Sequence, residues 1–396
     1  MRSWNISEPF KEVMRYKNTD LTDLCFIVST SSWGGVERWI VNLANAFVTR
    51  GLSVDVVLLR EGVVPYPDEL DANVHIFDCN CRPGPLADVR IMLSLSRYFR
   101  QRRPISVLVA KFRDAVLTDR ANRFLGHGGR LYWTFHSTPK RNRKNRRRIA
   151  FMKRRFRRPG SIIAVSQGVA NELADQFGIK REVVTAIYNP ILGEDVGLRC
   201  DAEVLHQWLV PRESRPAPVL VGAGRLVPAK DFATLIRAVA ILQSRHRCRL
   251  LILGEGPARI ELEALVQSLE LKDSVDLAGW VDDPVPYMAR ADLFVLSSCN
   301  EGLGNVLVEA MATGIPVVST DCPNGPREIL RDGELGPLVS PEDPDALASA
   351  IAATLESPIP PEQLREGAKR FFTNTVVDAY LSNLQMKPNN AINTRI

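Results

Sequence analysis

Short apolar runs alternate with amphipathic helical patterns along almost the whole chain, and this alternation restricts the fold more than any other feature. In the first half the runs are Leu24–Ser29, Ser53–Leu59, Val74–Cys79, Ile105–Ala110, Arg130–Phe135, Ser161–Val165 and Val183–Tyr188. In the second half they are Val219–Ala223, Arg249–Leu253, Val275–Ala278, Leu293–Ser297 and Pro316–Ser319. Each is near-continuously apolar, as parallel strands covered on both faces must be. The first helical pattern is the clearest. Val36, Trp39, Ile40, Leu43, Ala44, Phe47 and Val48 share one face, and Gly51 supplies a stop. Later helices are expected over Phe232–Ser244, Ala258–Leu269, Val285–Arg290, Asn305–Thr313, Pro326–Arg331, Pro344–Leu355 and about 361–386. A strand, a Gly-rich turn, a helix and a strand make a βαβ unit.

The alternation lapses between Asn189 and Pro218, where Pro190, Gly193, Gly197, Pro211, Pro216 and Pro218 accumulate. That composition reads as a connector carrying one short helix. The expected architecture is α/β, with two doubly wound Rossmann-like domains facing across a cleft. The bounds are 21–198 and 217–372, with a linker at 199–216 and a last helix at 373–386. A length of 396 residues suits two domains. Ligands of such sheets bind at the carboxyl ends of the strands.

Four segments at strand ends carry chemistry. Glu301-Gly-Leu-Gly-Asn-Val-Leu-Val-Glu309 follows a strand and opens a helix. Gly302 and Gly304, flanking Leu303 and followed by Asn305, leave backbone N–H groups unhindered at a helix N-terminus, where a phosphate is held well. Glu301 and Glu309 are ionised acceptors suited to the hydroxyls of a sugar. A helix cap followed by a solvated glutamate is the plainer reading. Gly222-Ala-Gly-Arg225-Leu-Val-Pro-Ala-Lys230 places two cations on one loop, as a diphosphate leaving group requires. Two solvated surface cations would look the same. Ser31-Ser-Trp-Gly34-Gly35 sits before the first helix and allows close backbone approach. It lacks the G-x-G-x-x-G spacing, so NAD is not expected. Thr134-Phe-His136 ends another strand. A lone histidine there is either a structural hydrogen-bonder or a cleft-facing catalyst.

The residues occur in an order that resembles glycosyltransferase family 4, from about Leu24 to Leu384. The likeness is densest in V-G-A-G-R-L-V-P-A-K, L-I-L-G-E-G-P, L-A-G-W-V-D-D and A-D-L-F-V-L-S-S-C-N-E-G-L-G-N-V-L-V-E-A-M-A-T-G. The resemblance implies the GT-B fold and a retaining, nucleotide-sugar-dependent transferase of surface-glycan or lipid-linked oligosaccharide assembly. UDP is the expected nucleotide, and the nucleotide-sugar is a substrate, so no cofactor and no metal is implied. Glu301 and the backbone of Gly302–Asn305 would meet the transferred sugar, and Glu309 the ribose. Arg225 and Lys230 would neutralise the diphosphate, with a backbone donor from Gly35 beside Gly34. His136 would sit near the reacting sugar, and Gly279, Trp280 and Val281 would meet the base. The last helix would return to the first domain. Two positions depart from the family pattern. Thr-Asp-Cys-Pro-Asn-Gly-Pro-Arg-Glu stands where a Gly-Gly turn is common, and Asn189-Pro190 replaces Asn-Gly.

Charge and cysteine usage set the remaining bounds. Residues 140–158 hold twelve Lys/Arg and no acid, so the net charge of +6 describes one surface. Within them Ile149, Met152 and Phe156 form an apolar stripe at helical spacing. The expectation is a helix lying on an anionic membrane, with Arg146, Arg147, Arg148, Lys153, Arg154 and Arg155 as the acceptor or membrane surface. A solvated charge run is the plainer alternative, and nucleic acid the weakest. The N-terminal segment has no apolar h-region and no stretch reaches about 20 apolar residues, so a cytoplasmic location is expected. Seven scattered cysteines read as reduced thiols, and Cys79-x-Cys81 lacks zinc-site spacing. Rival readings are another sugar enzyme of this fold, such as an epimerase, and a non-catalytic nucleotide-sugar-binding protein.

Overall fold

The computed structural model describes residues 21–29, 34–60, 64, 66–125, 129–139, 143–243 and 247–387. Ser31–Trp33, Lys140–Asn142, the N-terminal twenty residues and the last nine lie outside them.

The first half forms a seven-stranded, all-parallel sheet of order β3-β2-β1-β4-β5-β6-β7. Its strands are β1 (Leu24–Val28), β2 (Val54–Leu58), β3 (His75–Asp78), β4 (Ser106–Val109), β5 (Arg130–Phe135), β6 (Ile162–Ala164) and β7 (Val184–Ala186). Its helices are α1 (Gly35–Thr49), α2 (Ala87–Arg102), α3 (Phe112–Leu125), α4 (Arg143–Arg155) and α5 (Gln167–Phe177). The central strands are buried along their whole length, which is why they are apolar apart from Ser106 and Asp55, whose carboxylate accepts from Thr22, Tyr98 and Arg102. One face packs against α2, α3, α4 and α5 through Ile91, Leu95, Phe99, Leu117, Met152 and Leu173. The other face packs against α1 through Trp39, Leu43 and Phe47.

The second half repeats the plan with a six-stranded parallel sheet of order β10-β9-β8-β11-β12-β13. The strands are β8 (Val219–Ala223), β9 (Arg249–Leu253), β10 (Val275–Gly279), β11 (Leu293–Leu296), β12 (Val317–Thr320) and β13 (Leu338–Val339). After α6 (Val196–Asp201) in the connector come α7 (Phe232–Gln243), α8 (Arg259–Ser268), α9 (Val285–Arg290), α10 (Asn305–Thr313), α11 (Gly325–Ile329), α12 (Pro344–Glu356), α13 (Pro361–Ala368) and α14 (Thr373–Leu384). Helices α7, α8 and α12 cover one face, and α9, α10 and α13 the other. All seven cysteines are free.

The connector is docked, not loose. Leu192, Trp208 and Leu209 are buried in the core of the second half. Arg199 grips Asp283 with two bonds of 2.8 and 2.7 Å, and Arg215 pairs with Asp292 at 2.9 Å. The chain returns to the first half beside the connector: Thr373 N–H donates to the Leu192 carbonyl, and Leu192 forms a parallel bridge with Phe372. Helix α14 then lies on α1, where the Trp39 indole N–H donates to the Tyr380 hydroxyl at 3.1 Å.

One expectation is corrected here. Ile149, Met152 and Phe156 do not face lipid. They are buried against the first sheet with Trp133 and Phe177. Helical spacing identified an apolar face of α4, but the sheet covers it. Arg146, Arg147, Lys153, Arg154 and Arg155 remain on the outer face.

Candidate active site

In the second sheet the strand order reverses between β8 and β11. The loops after these two strands therefore diverge to opposite faces and leave a crevice at the carboxyl edge. Both loops carry candidate residues. Lys230 Nζ donates to Glu301 Oε1 at 2.5 Å, and the Ser298 hydroxyl donates to the same oxygen at 2.7 Å. The two loops are tied together by the backbone as well. Ser297 Oγ donates to the Lys230 carbonyl and the Cys299 N–H to the Ala229 carbonyl, each at 2.9 Å. Arg225 is exposed and has no ion-pair partner among the described residues. The crevice thus holds one engaged cation, one unengaged cation and one carboxylate held by two donors.

Gly304 adopts a left-handed φ of 99°, a conformation an L side chain resists, and turns the chain into α10. No side chain caps this helix and no acid stands in its first turn. Its leading N–H groups and the positive end of its dipole face the crevice unopposed. Leu303 is buried beneath, which anchors the glycine loop. Glu309 lies one turn inside α10. Burial pushes its carboxyl up, while the Arg199 guanidinium pulls the other way.

The first domain reaches the same place. A Cβ on Gly302 would stand 1.9 Å from the His136 carbonyl oxygen, so only glycine permits the observed approach. Ser166, which caps α5, donates its hydroxyl to the Gly302 carbonyl at 2.8 Å. The Glu328 carboxylate accepts from the Gln167 and Gly168 N–H groups and from the Tyr188 hydroxyl at 2.8 Å. Asn189 and Asn305 are joined at 3.0 Å. The His136 ring packs edge-on to Trp39 with centroids 4.8 Å apart, and its Nε2 lies 3.4 Å from Thr134 Oγ1. Burial holds its pKa down at about 4, so the imidazole is neutral at neutral pH. Gly34 is extended and precedes α1, and Gly35 has open space beside it.

Glu301, Arg225, Lys230 and the Gly302–Asn305 loop therefore sit in one crevice, with His136 on the opposing wall. Trp280 and Val281 follow the edge strand β10, and Val281 packs against the core cluster that holds Leu303 and Leu307. The indole is 57% exposed and donates to Asp282 at 3.4 Å. Sequence reasoning missed Ser166, Ser298, Glu328 and the Arg199–Asp283 pair. Ser166, Glu328 and the Arg199–Asp283 pair act over long sequence separations, and Ser298, only three residues from Glu301, lies inside the S-S-C-N-E-G run without being singled out by it. Among the described residues no three His, Cys, Asp or Glu side chains converge as a metal site.

Residues 211–371 match the family model for glycosyl transferases group 1, and residues 33–191 match that of Glycosyltransferase Family 4. The lipopolysaccharide core biosynthesis glycosyltransferase LpsE of Rhizobium meliloti (strain 1021) is 31% identical over 90% of this chain and 97% of its own. An N-acetylgalactosamine-N,N'-diacetylbacillosaminyl-diphospho-undecaprenol 4-alpha-N-acetylgalactosaminyltransferase of Campylobacter jejuni is 32% identical over 52% of this chain and 53% of its own. The crystal structure of Anabaena Alr3699/HepE in complex with UDP superposes with a TM-score of 0.75 at 22% identity, covering 92% of this chain and 100% of that one.

Proposed function

The chain belongs to the family 4-like glycosyltransferases of lipopolysaccharide and polysaccharide biosynthesis, and on that premise we propose that it moves a sugar from a UDP-sugar to a glycan or lipid-linked acceptor with retention of anomeric configuration. The observation that carries this reading is the contact of Lys230 with Glu301 beside the uncapped N-terminus of α10. A carboxylate for the sugar and a cation for the diphosphate stand one hydrogen bond apart. A nucleotide-sugar spans that junction, with its anomeric carbon between them. The UDP complex of Alr3699/HepE supports the choice of nucleotide. LpsE and the diphospho-undecaprenol-directed relative support the acceptor class.

In the proposed reaction the bond from the anomeric carbon to the diphosphate oxygen breaks. Charge accumulates on the departing phosphate, where Arg225, Lys230 and the α10 N–H groups meet it. The acceptor oxygen bonds to the anomeric carbon on the same face. Its proton passes to the departing phosphate oxygen. Glu301 orients the donor hydroxyls, and neutral His136 lines the sugar's other side. Glu309 accepts from the ribose, and the segment around Trp280 and Val281 borders the base. Arg225 and Lys230 take the electrophilic role a divalent ion would otherwise fill, so no metal and no cofactor is required. We also propose an anionic membrane as a partner of the basic face.

Proton NMR of the product during early turnover tests the stereochemistry, with transfer run with and without excess EDTA. The expected product keeps the donor's anomeric configuration and forms at the same rate with chelator. An inverted product, or complete loss on chelation, overturns the respective assignment.

A further inference from the structure

We infer that the outer face of α2, α3 and α4, at the cleft end of the first domain, is a docking surface for an anionic lipid bilayer, with Leu86, Val89 and Leu93 as its inserting side chains. This deepens the membrane reading above but does not rest on the transfer chemistry. Helix α2 buries Ile91, Leu95, Tyr98 and Phe99 on the sheet. On its outer side Leu86, Val89 and Leu93 are 60, 53 and 65% exposed. Their spacing of three and four residues makes one stripe. Arg90 and Arg97 are exposed on the same helix.

The neighbouring helices continue the face. Helices α2 and α3 pack side by side. Helix α3 meets α4 through Phe112 against Phe151, and through an ion pair from Arg155 to Asp119. Arg113, Arg120 and Arg123 of α3 are exposed, as are Arg146, Arg147, Lys153 and Arg154 of α4. The acids of these helices are paired or buried: Asp88 pairs with Arg113, Asp119 with Arg123 and Arg155, and Asp114 is buried and accepts from Ser29. An open hollow of about 280 Å³ between α4 and α5, lined by Ile149, Ala150 and Phe177 together with Arg146, Lys153 and Gln176, places two cations at its rim. In a parallel α/β layer each helix runs against its strand, so helix N-termini lie at the carboxyl edge. Leu86, Val89, Arg113, Arg146 and Arg147 therefore sit near the mouth of the cleft.

Charge complementarity selects the occupant. A protein interface takes isolated arginines but is depleted of charge at its core, whereas this face spreads exposed cations over three adjacent helices. A nucleic acid would use the arginines but has no place for three aliphatic side chains. An anionic bilayer uses both: headgroups meet the cations, and the acyl boundary receives the aliphatics. The stripe that inserts is that of α2, since the apolar side of α4 is committed to the core.

The test is co-sedimentation of the full chain with sucrose-loaded vesicles in 0.15 M NaCl, without donor or acceptor. Vesicles are phosphatidylcholine alone or with about a third phosphatidylglycerol. Binding is expected only to the anionic vesicles. The triple variant L86S/V89S/L93S should bind at least tenfold more weakly. The quadruple variant R146Q/R147Q/K153Q/R154Q should lose more, at roughly fivefold per cation. Every altered side chain is exposed, so thermal unfolding should be near wild type. UDP binding by calorimetry should also be unchanged, which separates failure here from failure of the transfer reading. Equal binding to neutral vesicles overturns the proposal, as does undiminished binding by the triple variant. Binding of single-stranded RNA that depends on the cations but not on the leucines reassigns the face to nucleic acid. A dimer-to-monomer change in the triple variant with vesicle binding intact reassigns it to self-association.

Discussion

The contact between Lys230 and Glu301 couples two functions that chemistry usually separates. A carboxylate paired with an ammonium is a weaker acceptor for a sugar hydroxyl. A donor must therefore insert its phosphate by the lysine and its hydroxyls by the glutamate, exchanging one set of charge-assisted bonds for another. Arg225, which has no ion pair to give up among the described residues, meets the phosphate directly. Alanine at Arg225 or Lys230 is expected to lower kcat about 100-fold, the scale of removing a preorganised charge. Full activity in either variant contradicts the leaving-group role. His136 makes a second residue-scale prediction. Its folded pKa of about 4 lies below the ordinary 6.5. Between those values the unfolded chain binds the extra proton, so stability is complete above pH 6.5 and falls as pH approaches 4. His136→Gln should flatten this slope in urea unfolding at pH 7, 6, 5 and 4.5. An unchanged slope would show that another group carries it.

At the scale of elements, the glycine loop before α10 is one place where the domains touch. Gly302→Ala places a methyl against the His136 carbonyl. The loop or the opposing strand must then withdraw, and transfer depends on angstrom-level placement. The variant should lose at least tenfold in kcat/KM while its thermal unfolding stays within a few degrees of wild type. Wild-type kcat/KM would show that the wall and loop do not need their contact. Much at this scale was legible in the sequence. The buried strands β1, β2, β4, β8, β9 and β11 announce themselves as apolar runs broken only by single polar residues such as Asp55, because helices cover both faces. Strand β13, with two residues at a sheet edge, has too few side chains to leave a pattern. The connector misled for a different reason. Its prolines and glycines mark irregular backbone correctly, but irregular chain can still bury Trp208 and Leu209. The stripe on α4 shows the same limit: periodicity reveals an apolar face and says nothing of what covers it. The crevice residues were readable because each follows a strand end in a local pattern. Ser166 and Glu328 were not, since the bonds that matter here, from Ser166 to Gly302 and from Gln167 and Tyr188 to Glu328, join distant parts of the chain.

For the whole molecule, the two halves are linked by two crossings that run side by side, at Leu192 and at Phe372 and Thr373. Helix α14 belongs to the core of the domain opposite the one that precedes it in sequence. Tyr380 is fully buried between Trp39 and Phe47. Tyr380→Ala should cost about 3 kcal/mol or more, as large-to-small changes at aromatic core sites do. Urea unfolding should show that loss in the first domain. A loss of less than 1 kcal/mol would mean that α14 contributes little to its stability. The central claim concerns the crevice as a site of sugar transfer. It is tested most directly by incubating the purified protein with bacterial lipid extract and UDP-, GDP- or ADP-sugars, and reading products by mass spectrometry beside Glu301→Ala. The expected result is a lipid or glycan gaining one sugar mass from a UDP-sugar with wild-type protein alone. Tight UDP-sugar binding with no product from any donor, or equal product from Glu301→Ala, contradicts it.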